Sequence, residues 1–362
     1  MNTCREFRHD VLTRFGADEA WVDKLLEYNG RSLRQAQNDD FEFPLDDEPY
    51  VALWRRYARE VEFERSVECL SKYLVQFQFP IASGISATEG YVAATRHGAG
   101  FERGASRPRC ALRFEDPRAI RLWVHPTPAG SIPVWLASNR EDFITLLRAL
   151  VYRNEPVPVA ENIGAYIVSG FRNWHRYYSE PTVNDPHGVT DRFVILSAGP
   201  YSGVPANAVN MTGPEWNATS VRIRLEHECT HYFTRRLFGS MANNLCDEIL
   251  ADYRGIVGAC GVYRADWALR FLGIRSDGST RPGGRFDRYV PLDFPDSARR
   301  CLRLLAARAV KNLEEFDTER PWTRERDLTP FAICALAVLS LEELASDCGV
   351  QLISENLQPA LS

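Results

Sequence analysis

The stretch SVRIRLEHECTHYFTRRLFG, Ser220 to Gly239, decides how the rest of the chain is read. It opens on a small polar residue, holds no proline, is rich in helix formers and closes on glycine, which predicts one helix of about five turns. On such a helix His227 and His231 lie four residues apart, so their rings leave the same face one above the other and can grip a single ion. Glu228 falls beside them, within reach of a water on that ion. By chance alone the five-letter pattern would arise in about one protein in a hundred of this composition, so it needs support from elsewhere in the chain.

That support comes from NNLCDEILADYRG, Asn243 to Gly255, which starts on an asparagine cap and predicts a second helix with Glu248 and Asp252 on one face at i, i+4. Two acids on an otherwise apolar helix need a partner, which weakens the plainer reading of a solvated face. A hydrolytic zinc takes three protein ligands and leaves one position open, and two imidazoles with one carboxylate form such a set. Glu248 supplies the third ligand. Asp252, one turn on, is placed to accept the second ring N–H of His227 or His231 and so fix its tautomer.

HECTH followed after sixteen residues by Glu248 in EILAD resembles the gluzincin clan of zinc metallopeptidases. The resemblance covers residues 220–256. It implies an α+β, zincin-like fold in which a mixed sheet segment packs on the HExxH helix between helical N-terminal and C-terminal lobes. It further implies Zn2+ as cofactor, Glu228 as general base, a peptide or protein as substrate, and a Tyr, His or Arg after the zinc helices to stabilise the tetrahedral intermediate. Tyr263, Tyr289 and Arg285 are the candidates, with His187 on a loop as a further possible contact; for each, a packed ring or a solvated side chain is the bland alternative. In this clan an extended peptide pairs with an edge strand upstream of the metal helix, and Phe193 to Ser197 is the strand nominated for that role. The segments Arg153 to Pro156 and Phe171 to Trp174 are also similar to uncharacterised bacterial proteins that share HECTHY.

Two other functions fit parts of the pattern. Two His and one carboxylate also hold iron(II) in non-hydrolytic enzymes that modify peptides, although Glu228 then has no task. A zincin scaffold that binds a peptide without catalysis is the third reading, but an open three-ligand site beside an intact base argues against it.

Around this centre the chain has an ordinary globular composition, with 45% hydrophobic and 25% charged residues, and is long enough for more than one domain. A net charge of -5 leaves no electrostatic footprint for nucleic acid. The nine cysteines are scattered, form no C-x-x-C pair and read as reduced thiols. Charges at Arg5, Arg8, Asp10 and Arg14 interrupt any apolar leader, and the longest apolar run, Phe331 to Leu341, is too short to span a bilayer; a cytoplasmic protein without a membrane partner is expected.

Helical periodicity marks Ala20 to Tyr28 and Pro49 to Val75, followed by a Gly-rich stretch from Gly98 to Arg109. Strand-like runs follow at Cys110 to Phe114, Ile120 to His125, Ile132 to Leu136 and Asp191 to Ala198, with a helix from Arg140 to Tyr152 capped by Asn139. Beyond residue 260, Ala265 to Leu272, Asp296 to Phe316 and Thr329 to Ser346 read as helices, separated by a loop from Gly273 to Arg288. These elements predict a helical lobe over 1–105, an α/β lobe with the zinc helices over 106–258 and a helical lobe over 259–362.

Overall fold

The computed structural model describes residues 2–30, 42–99, 109–179, 190–239, 244–281, 284–320 and 328–357. His187 and most of the Gly98 to Arg109 stretch lie outside them. The described chain is α+β, with one small mixed sheet and many helices. No helix in it is long and apolar enough to cross a membrane. Packing groups the chain into two compact units: one runs from Pro44 to Gly199, and the other joins Met1–Phe43 to Pro200–Ser362.

The unit from Pro44 to Gly199 holds helix α3 (Val51–Glu64), α4 (Glu89–His97), β1 (Arg121–His125), β2 (Ile132–Ala137), α5 (Arg140–Leu150), β3 (Ala165–Arg172), α6 (Trp174–Ser179) and β4 (Thr190–Ser197). The strands lie in the order β1-β2-β4-β3. β1 runs antiparallel to β2, β2 parallel to β4, and β3 antiparallel to β4. From Phe193 to Ser197, β4 is buried at every position, as befits a strand covered on both faces. It is therefore an inner strand with neighbours on both sides and has no free edge to pair with a peptide; among the described residues the edges of the sheet are β1 and β3.

α3 packs on β1 and β2, and its Trp54, Tyr57 and Val61 join Trp135, Phe143 and Phe193 in a core of large side chains. The helix predicted over Pro49 to Val75 stops early because Arg65 takes a left-handed conformation (φ 54°), and the chain continues as two short 3-10 turns, Val67–Lys72 and Val75–Gln78. Cys110 to Phe114 forms no strand; Leu112 is buried in the core, and Ala111 N–H donates to the Phe77 carbonyl. The motif from Phe171 to Trp174 has a structural role. Asn173 Nδ2 and Trp54 Nε1 each donate to Asp191 Oδ2 at 2.8 Å, while Arg176 Nε stands 2.9 Å from Asp191 Oδ1, so the fully buried carboxylate has two hydrogen bonds on one oxygen and an ion pair at the other.

The other unit is helical. It holds α1 (Asn2–Arg14), α2 (Glu19–Tyr28), α7 (Gly213–Phe238), α8 (Leu245–Cys260), α9 (Ala265–Leu272), α10 (Phe286–Tyr289), α11 (Asp296–Glu319), α12 (Thr329–Ala337), α13 (Leu341–Ala345) and α14 (Gly349–Leu357). The helix predicted over Thr329 to Ser346 is split because Ser340 starts a new one, its hydroxyl and the Glu343 carboxylate forming a capping box. α7 and α8 share the most extensive helix pairing in this unit, and that pairing builds the site.

Candidate metal centre

α7 begins at Gly213, well before the predicted Ser220. Thr212 accepts from the Glu215 N–H while the Glu215 carboxylate accepts from the Thr212 N–H, and Pro214 sits in the first turn, where its missing N–H costs nothing. Trp216 fixes this end by donating from Nε1 to the Val204 carbonyl at 2.7 Å and packing its ring on Trp267. Ser220 is consequently not a cap. It is buried, and its Oγ accepts from the Tyr201 N–H at 2.9 Å.

α8 is capped by Asn244, whose side chain accepts from the Asp247 N–H, and it ends at Gly261 in the left-handed region rather than at Gly255. Gly255 serves the crossing with α7 instead: a Cβ there would lie 2.8 Å from the Ile223 carbonyl oxygen. At Gly258 a Cβ would lie 2.6 Å from Glu226 Cγ. These two glycines let the helices approach closely enough for acids on α8 to meet the imidazoles of α7.

The donor atoms of His227, His231 and Glu248 all lie within 4.8 Å of one another, and all three residues are buried. The two Nε2 atoms face each other at 3.1 Å, and Glu248 stands 3.5 Å from the first and 3.3 Å from the second. Among the described residues Glu248 Oε2 is buried without a hydrogen-bond partner, with His227 Nε2 at 3.5 Å and Arg285 Nη1 at 3.6 Å as its ionic neighbours. Two converging ring nitrogens beside an unsatisfied carboxylate oxygen suit a cation, so the group can bind a metal. Burial also removes the solvated-face alternative for this helix.

Asp252 orients the first imidazole: its Oδ1 lies 3.0 Å from His227 Nδ1, which assigns that nitrogen the proton and turns the Nε2 lone pair toward Glu248. Tyr201, which the sequence reading missed, completes this layer. Its hydroxyl donates to Asp252 Oδ1 at 2.6 Å and lies 3.0 Å from His227 Nδ1. The turn that delivers it, with Ser202 and Gly203 both at positive φ, was visible only as Gly199-Pro200 and Ser202-Gly203 punctuation after a strand. No residue-spacing rule ties a tyrosine at that position to the helices.

Arg285 is buried and bonded to Asp252 Oδ2, with Nη1 3.2 Å from the Tyr201 hydroxyl and 3.6 Å from Glu248 Oε2. It is thus a counter-charge for two buried carboxylates, with Nε left without a hydrogen-bond partner among the described residues. Tyr263 packs its ring on Tyr253 and its N–H on Asp317, and it makes no hydrogen bond with the His-His-Glu group. Tyr289 reaches the group: burial and then the neighbouring Glu248 carboxylate push its hydroxyl pKa well above the ordinary range, offset in part by Arg285. Tyr28 holds Tyr289 in place, donating to its carbonyl at 2.9 Å while accepting from the Leu245 N–H at the start of α8.

The electrostatics follow from this crowding. Burial opposes charge on His231, but the hydrogen bond and negative charge of Glu248 outweigh it and hold the imidazole up to about 9. Burial raises the Glu228 carboxyl above its usual range, and the two nearby imidazoles only partly offset it. Glu228 is 8% exposed and has no hydrogen bond or ion pair among the described residues. A buried carboxyl left unpartnered beside a possible cation site is poised to exchange a proton.

The chain matches, over residues 10–348, the model of a family of unknown function, DUF7005, and it belongs to that family. No curated protein and no solved structure matches it.

Proposed function

We propose that this member of the family is a zinc-dependent hydrolase of the gluzincin type that cleaves peptide bonds. The observation that carries this reading is Glu228, a buried and unpartnered carboxyl one residue along α7 from His227, in a site where two Nε2 atoms and Glu248 converge. His227, His231 and Glu248 would hold the zinc, which when bound supplies Lewis acidity toward a carbonyl and makes a water easier to deprotonate. Glu228 takes that proton and returns it to the departing amine, and its raised pKa brings the carboxyl nearer the range where both transfers are easy. Asp252 and Tyr201 hold the His227 ring in register, and Arg285 keeps the two carboxylates of α8 charge-balanced. Tyr289, whose hydroxyl bonds to the Glu248 carboxylate, lies at the group and would donate to a developing oxyanion only on leaving that carboxylate. The iron(II) reading leaves Glu228 without work, and nothing around the site favours it.

The test is metal analysis of the purified full-length protein, combined with turnover of a quenched-fluorescent peptide mixture. Glu228→Gln is expected to retain zinc and lose about 100-fold to 10,000-fold in rate. Full activity in that variant defeats the mechanism. Iron in place of zinc defeats the zinc-hydrolase reading in favour of the iron(II) one, and unchanged metal affinity in Glu248→Ala defeats the ligand set.

A further inference from the structure

The unit from Pro44 to Gly199 carries a groove of about 870 Å3 between one flank of α3 and β1. Five consecutive residues line one bank, 120–124. Successive strand residues point to opposite faces, and a groove that follows the edge of the strand meets consecutive residues in this way. Among the described residues β1 pairs on one side alone, with β2.

The groove is strongly cationic. Arg55, Arg59, Arg65, Arg118 and Arg121 line it against a single acid, Glu62. Arg55 is paired with Asp47, but Arg59, Arg65, Arg118 and Arg121 have no ion pair among the described residues. The Arg121 guanidinium lies over the Trp123 ring, 5.6 Å from its centroid, which holds one cation against the strand. Four guanidiniums without an ion pair among the described residues, beside the stretch 121–124 of a strand edge that none of those residues pairs, repel one another and are relieved by an anion.

We infer that this groove is a docking site for an extended acidic polypeptide, which adds to β1 as a fifth strand and presents carboxylates to the arginines of α3 and β1. The strand edge supplies main-chain hydrogen bonds irrespective of sequence, and the arginines select for acidic side chains. The site lies wholly within this unit and does not depend on the hydrolase reading. The rival role for the arginines is to keep the edge from pairing with anything, since charge is a common way to protect an edge strand.

The probe is a fluorescein-labelled peptide of about eight residues, alternating glutamate and valine, long enough to match β1. It is titrated by fluorescence anisotropy with full-length protein carrying Glu228→Gln, so that cleavage cannot consume it. Saturable binding is expected, weakened about tenfold or more by Arg59→Glu combined with Arg121→Glu, and by as much when alternate peptide amides are N-methylated. Arg59→Gln should give a smaller loss in the same direction. Absence of binding assigns the arginines to edge protection and overturns the inference. So does equal affinity for the N-methylated peptide, which would mean charge attraction alone, or equal affinity for a single-stranded oligonucleotide of the same charge. None of these readouts requires zinc or turnover, so this inference and the hydrolase reading fail independently.

Discussion

Asp252 Oδ1 lies 3.0 Å from Nδ1 of His227, and through that contact α8 sets the direction in which an α7 imidazole points. Asp252→Asn keeps the size of the side chain but removes its charge, so the ring loses its anionic acceptor. Zinc affinity, measured by competition with a chelating dye, should fall about 10-fold to 100-fold. An unchanged affinity would show that the contact does not orient the ring.

Arg285 neutralises buried carboxylates that a bound cation would otherwise have to balance alone. Arg285→Met therefore leaves Asp252 and Glu248 short of positive charge, and in metal-free protein it should cost about 3–5 kcal/mol in urea denaturation. Added zinc should recover part of that loss. An equal loss with and without zinc would mean that Arg285 acts by packing and not by charge.

Gly255 has no room for a methyl group at the helix crossing. Alanine gains about 1 kcal/mol of helix propensity at a mid-helix position, but overpacking a tight contact costs about 1–3 kcal/mol. Gly255→Ala should be destabilising on balance and should weaken zinc binding, because Ile223 lies one turn before His227. A stabilised variant would show that the crossing is looser than these contacts indicate.

His175 carries a pH dependence within the sheet unit. Its Nδ1 lies 2.8 Å from the Tyr57 hydroxyl and its ring packs 4.5 Å from that of Tyr73. Burial, and then the charge of Arg56, lower its pKa from 6.5 to about 4, with Glu60 opposing. The unfolded chain therefore takes up a proton near pH 6.5 that the folded protein accepts only near pH 4, so this contribution to stability is lost as the pH falls across that window. The ring is partly exposed, and with solvent screening the loss is on the order of 1–2 kcal/mol. Comparing thermal melts of the wild type and His175→Gln from pH 4 to 7, the variant should show the flatter profile. Parallel profiles would remove His175 as the cause.

Much of the site was legible because it depends on helical periodicity, which is local. The spacings of His227 to His231 and Glu248 to Asp252 place each pair on one face whatever the rest of the chain does. Tyr201 was not legible, because its approach to Asp252 depends on a turn whose direction is set by Ser220 and positive-φ residues. Arg285 was noticed for its charge, but which carboxylates it meets is a matter of tertiary packing. In the sheet, alternation and β-branched content marked β1, β2 and β4, yet strand order was beyond reach, and so an inner strand was nominated as an edge. β3 went unread because Ser169 and Gly170 interrupt its apolar pattern where the ladder bulges.

The helical unit is discontinuous, with residues 44–199 separating its first segment from the remainder. Its opening helices find part of their packing at the far end of the chain: α1 lies on α13, and Arg8 pairs with the buried Glu342 at 3.2 Å. On the ribosome, α1 and α2 therefore emerge early and wait while the sheet unit is made and folds. At about 5–20 residues per second, the delay between release of Gly199 and release of Ala345 is on the order of ten seconds. The His-His-Glu group is complete in the emerging chain at Glu248, before the partner of α1 at α13 has been made.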